Sequence, residues 1–202
     1  MKKSRTIILV TIPLLLSMGI ILAATYIRGI APFFSAKIVQ IIAYLLILLI
    51  TFIFIKLSGK SLREIGLFRS HLVRQIIVGV IIAGIFLIVA GIFTGWHFFS
   101  KVDSIYFLLS QILVAFSEEL LFRGYFLAMF KDIAKTPDRA VIISALIFGL
   151  WHYPISHNIG LVLITFFAGA VYGTLRTVFE KTDDEIGLVS LTIAHWAFNS
   201  IL

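Results

Sequence analysis

Apolar residues run in long blocks along this chain, and the polar ones collect between the blocks. The blocks fall at about 6–26, 38–55, 72–94, 104–130, 140–153, 159–179 and 187–202. Crossing a hydrocarbon core of about 30 Å takes ~18 to 20 apolar residues in a helix, so the pattern predicts an all-α, polytopic transmembrane bundle of about seven spans. The fifth and seventh blocks, roughly 14 to 16 residues each, are short for a span, and buried core or re-entrant helices compete for them. No repeat or second globular domain interrupts the pattern. The chain reads as one integral membrane domain, with N-terminal helices over 1–100 and a helical core over 101–202.

Composition sharpens this reading. Of the 202 residues, 60% are hydrophobic, 13% are charged and none is cysteine, and the mean hydropathy is +1.09. A soluble enzyme on a single anchor is excluded. Disulfides and thiolate metal sites are excluded as well, so any metal would need His and carboxylate ligands. The net charge of +7 is the kind of excess nucleic acid attracts, but the basic residues sit in small groups at the ends of the apolar blocks. They mark topology beside membrane lipid, and no nucleic-acid partner is expected.

Sorted by side of a seven-span chain, thirteen basic residues from Lys2 to Lys181 share one side, against Arg28, Lys37 and Lys101 on the other. That asymmetry predicts a cytoplasmic N-terminus, supports both short spans, and reads as a multi-pass protein of the cell membrane. The basic start, Met1 to Arg5, followed by a long apolar run, predicts an uncleaved first span.

Smaller signals lie between and within the blocks. Ser61 and Glu64 have capping-box spacing, and Leu62, Ile65 and Phe68 follow at helical intervals, which predicts a short interfacial helix near 61–69. Gly59-Lys60-Ser61 resembles the end of a phosphate-binding loop, but Phe54 stands where that motif needs glycine. Gly91 with Gly95, and Gly169 with Gly173, have the spacing that lets membrane helices approach closely, either within the bundle or in a dimer.

The fourth block contains residues a lipid-facing helix cannot carry: Glu118, Glu119 and Arg123. Three such charges cost on the order of 8 to 10 kcal/mol at the centre of a span, and the apolar residues around them return only about 6. Their face must point into the bundle or a wet cavity. At about 100° per residue, Glu119 and Arg123 share a face and can pair. Glu118 points elsewhere, on a predicted stripe with Gln111 and Tyr125, and is the carboxylate left for chemistry.

The fifth block carries Phe148 and His152, and the seventh His195 and Asn199, each pair four residues apart and on one helix face. Thr192 extends the second stripe by a turn. At a rise of about 1.5 Å per residue, Glu118, His152, His195 and Asn199 reach a similar depth, so three helices can assemble one site. A carboxylate beside a neutral imidazole can take a proton from water while a second His and an amide donate to a developing oxyanion. That chemistry is hydrolysis of an amide or ester.

These residues resemble the CPBP intramembrane proteases, which include the type II CAAX prenyl endopeptidases and the bacterial Abi proteins. Glu118-Glu119 with Arg123, Phe148 with His152, and His195 with Asn199 are similar to three motifs of that family in the same order. The resemblance covers about the last ninety residues. It implies an intramembrane endopeptidase cutting a membrane-associated or lipidated peptide, with Glu118 and His152 activating water, His195 and Asn199 forming an oxyanion hole, and Glu119 and Arg123 stabilising the site. Members are often described as metalloproteases, and Glu118, His152 and His195 would then be the zinc set; metal-free catalysis is the expectation favoured here. Two other uses of the same residues stay open: a non-catalytic immunity or scaffold protein of the Abi type, and a proton or ion pathway. The sequence leaves the oligomeric state open.

Overall fold

In the computed structural model, residues 3–67, 71–94, 104–179 and 186–201 are described. Helices account for nearly all of them: α1 (Lys3–Ile30), α2 (Phe33–Ser58), α3 (Leu72–Thr94), α4 (Ile105–Glu119), a π-helical segment (Leu120–Phe126), α5 (Leu127–Ile133), α6 (Pro137–Ser156), α7 (Ile159–Val178) and α8 (Leu188–Ile201). From α4 to α5 the chain is one continuous helix of 29 residues, Ile105–Ile133. The described residues hold no strand, and the protein is a multi-pass helical bundle.

Among the described residues, six helices are long and apolar enough to cross a membrane. The predicted fifth span is among them because its helix is longer than its apolar block. Thr136 accepts from the amide of Arg139, Pro137 opens the first turn, and the helix continues through Pro154 to a left-handed cap at His157, giving 20 residues. The seventh block differs. Its helix, α8, has 14 residues, about 21 Å of rise, and is buried on most of its surface against α3 and α4. It is shorter than the six candidate spans and packs as a buried helix within the bundle. In that interface Gln75 of α3 is nearly sealed and bonds the Gly187 and Ser190 amides and the Ser190 hydroxyl.

The helix ends assigned to one side by charge meet at one end of the bundle. Arg5 donates to the carbonyl of Leu57, Lys60 pairs with Asp132 at 2.9 Å, and Arg176 donates to the carbonyl of Glu64. These contacts fix that the ends are shared, and the charge rule alone assigns them to the cytoplasm.

The expected helix near 61–69 is a set of hydrogen-bonded turns over its described part, 61–67; Phe68 and Arg69 lie outside the described residues. The capping box does form, with Ser61 and Glu64 each bonding the other's backbone amide at 3.2 Å or less. Gly66 then adopts φ 88°, which ends the turn. A Cβ there would sit 2.5 Å from Arg176 Nε, and the Gly66 carbonyl accepts from the amide of Leu188. The segment closes the end of the bundle, with Ile65 wholly buried. Bonds from the amide and hydroxyl of Ser61 hold the Glu64 carboxyl below its ordinary range. Their contribution to stability is therefore present above the unfolded-state carboxylate value and lost as the pH falls through the lowered folded one.

Small residues set the closest crossings. A Cβ on Gly173 would meet Val141 at 3.0 Å, and one on Gly169 would meet Ala145, Phe148 and Arg123 at 3.2 Å, so this predicted pair works inside the bundle. Gly91 is buried, and Gly95 lies outside the described residues. Gly149 is tighter than either: a Cβ would stand 2.8 Å from the backbone oxygen of Val162. Gly149→Ala should therefore force α7 away from α6, one turn before His152, lowering stability by about 1–3 kcal/mol and reducing activity. Thermal unfolding of the detergent-solubilised variant, with turnover measured alongside, checks this.

Candidate active site

The continuous helix that carries the two glutamates widens just after them. In the π-helical segment the amide of Leu127 bonds back to the carbonyl of Phe122, five residues earlier, and that same carbonyl accepts the hydroxyl of Ser144 from α6 at 2.9 Å. Such a turn advances each residue by less than the 100° of an α-helix. The expected stripe loses its Tyr125 end there, whereas Gln111 and Glu118 both lie in the regular α4 that precedes it. Tyr125 turns to α1, where its hydroxyl donates to the carbonyl of Leu9, and neither it nor Gln111 lines the cavity that Glu118 faces.

Glu118, Glu119 and Arg123 are 3%, 0% and 2% exposed, so the cost of placing charges at this depth is met inside the bundle. Arg123 pairs with Glu119 at 3.2 Å, as the four-residue spacing predicts. The guanidinium carbon lies 3.9 Å from the centre of the Phe148 ring, with the Tyr172 ring beyond it at 5.6 Å. Two aromatic faces thus take up part of the charge of a cation that has no access to water.

The same carboxylate orients a histidine. Nδ1–H of His195 donates to Oε1 of Glu119 at 2.8 Å, which turns Nε2 toward Glu118, 3.6 Å from Oε2. His152 is fixed differently. Its Nδ1 donates to the carbonyl of Phe148, one turn earlier, at 2.8 Å, so in the neutral ring Nε2 is the bare nitrogen, 3.9 Å from the same Oε2. The phenylalanine four residues before His152 therefore has two tasks: its carbonyl sets the tautomer, and its ring supports Arg123.

Glu118, His152, His195 and Asn199 all line one cavity of about 270 Å³. Its remaining wall is largely apolar and comes from Phe148, Tyr172, the α7 residues Leu161, Ile164, Thr165 and Ala168, Phe86 of α3 and Phe198 of α8. Glu119 and Arg123 stand behind this wall. Thr192 is buried outside it and has no hydrogen-bond partner among the described residues.

One polar contact to the site has no counterpart in the sequence reading. Tyr44 of α2 donates its hydroxyl to Oε1 of Glu118 at 2.8 Å. The available signal was a single tyrosine in the middle of an apolar run, which says nothing about its partner.

A family model, Type II CAAX prenyl endopeptidase Rce1-like, matches residues 100–201, just over half of the chain. The chain belongs to that family. The matched segment of this CAAX endopeptidase relative begins just before α4 and contains every site residue named from the sequence, whereas Tyr44 lies outside it. Intramembrane proteolysis is thus shown at the level of the family. No curated protein and no solved structure matches the chain.

Proposed function

We propose that this protein is an intramembrane endopeptidase of the cell membrane that hydrolyses a membrane-associated or lipidated peptide with water activated by Glu118 and His152. The observation that carries the reading is the convergence of both imidazole Nε2 atoms on one oxygen of a buried carboxylate, at 3.6 and 3.9 Å, inside a cavity. A water between Oε2 of Glu118 and Nε2 of His152 gives its proton to the carboxylate as its oxygen attacks the scissile carbonyl. The negative oxygen that forms is met by Nε2–H of His195 and the amide of Asn199. Glu119, itself held by Arg123, orients the His195 ring for that contact. When the C–N bond breaks, Glu118 returns the proton to the leaving amine.

Glu118, His152 and His195 carry the donor atoms of a zinc set; a metal held by them would polarise the scissile carbonyl or a water, and no step here is routed through one. The cavity suits a lipidated substrate: its wall is mostly aliphatic and aromatic, and the family name refers to prenylated peptides.

Asn199→Ala tests the oxyanion role. Turnover should fall by about 10²–10³-fold in proteoliposomes supplied with a prenylated CAAX-type peptide and, in parallel, an unlipidated membrane peptide. Cleavage of the first alone would establish the lipid requirement. Failure of the wild type to cleave either would count against an endopeptidase of this substrate class.

A further inference from the structure

We infer that Tyr44 is a positioning residue for the hydrolytic base, supplied by the half of the chain that the family model does not cover; this rests on Glu118 acting as that base. Its hydroxyl bonds Oε1 at 2.8 Å, and Oε2 is the oxygen turned to the two imidazoles. The division of labour is chemical. A carboxylate at the end of a flexible side chain can rotate and exchange its two oxygens. A phenol donating to one of them fixes the plane, occupies the oxygen not needed, and leaves the other to meet water between His152 and His195.

The tyrosine is itself well held. It is 8% exposed, and the hydroxyl of Ser117, the residue before Glu118, reaches its backbone carbonyl at 3.4 Å while bonding Leu113 at 2.6 Å. The register of α2 against α4 is thus set beside the base. The Tyr44 side chain also lines a small separate pocket of about 70 Å³ with Thr25, Arg28 and Gln40, whereas it is not part of the lining of the active-site cavity. It stands behind Glu118 and acts through it without touching substrate. The charged and titratable groups around this contact are Arg28 of α1, His152 of α6 and His195 of α8.

Tyr44→Phe removes one oxygen atom and retains the ring, so Oε1 loses its donor with little change in packing. The full chain is compared in four forms: wild type, Tyr44→Phe, Glu118→Gln and the double variant. The substrate probe is the set of membrane peptides that accumulates uncut in cells carrying Glu118→Gln. Turnover of those peptides should fall about 10- to 100-fold in Tyr44→Phe, with no further loss when it is added to Glu118→Gln. In infrared spectra of protein labelled with ¹³C-glutamate, the carboxyl band missing from Glu118→Gln should be shifted in Tyr44→Phe, a change that loss of packing alone would not produce. Wild-type turnover with an unshifted band in Tyr44→Phe overturns the inference. If no peptide accumulates in Glu118→Gln cells, the base itself is misassigned and the positioning role falls with it.

Discussion

Replacing Glu118 with glutamine is expected to lower peptide hydrolysis by about 10²–10⁴-fold while the protein still inserts and folds. Glutamine retains the shape of the side chain and can still accept from the Tyr44 hydroxyl through its carbonyl. It cannot take a proton from water. The measurement is turnover of a cleaved peptide in proteoliposomes, with thermal unfolding run on the same preparations. A fall in turnover without a fall in unfolding temperature separates loss of the base from loss of the fold. If the cluster served only packing or capture, as in a scaffold protein, this variant would keep its biological effect.

The largest expected effect on stability comes from Arg123. Arg123→Met keeps much of the side-chain volume but leaves Glu119 wholly buried, with its cation gone and His195 as its remaining partner. An uncompensated buried charge of this kind costs about 3–5 kcal/mol. The variant should unfold at clearly lower temperature and accumulate poorly in membranes. Neutralising the partner as well, in a Glu119→Gln/Arg123→Met double variant, should recover a large part of that loss, because the penalty lies in the orphaned charge more than in the missing bond. Activity should not recover, since the carboxylate that orients His195 is gone. If the double variant is as unstable as the single one, the pair is not the source of the stability.

Much of this site was legible in the sequence because a bilayer makes polar residues conspicuous. Glu118, His152, His195 and Asn199 stand out in apolar helices, and the spacing of four in Glu119–Arg123 translates directly into the observed ion pair. Three features escaped for separate physical reasons. The π-helical turn at Leu120–Phe126 breaks the 3.6-residue period on which face assignment depends, so Tyr125 went to α1. The burial of α8 depends on what surrounds it: a buried helix and a lipid-facing one are equally apolar, and only the structure shows α3 and α4 packed around its 14 residues. Tyr44 is distant in sequence from Glu118 by 74 residues, and no local pattern links a tyrosine to a partner on another helix. Capping-box spacing, for its part, correctly placed the reciprocal bonds of Ser61 and Glu64 but could not tell one turn from a helix, a distinction made by the left-handed Gly66.

The central claim is that three helices bring one carboxylate and two imidazoles to a common point where water is activated. Quantitative mass spectrometry of membrane peptides in cells carrying wild type, Glu118→Gln, His152→Ala or His195→Gln tests it most directly. The account predicts that the same uncut peptides accumulate in all three variants and are processed in the wild type. Variants present in the membrane at wild-type levels whose peptide profiles match the wild type, or which accumulate unrelated sets, would contradict it.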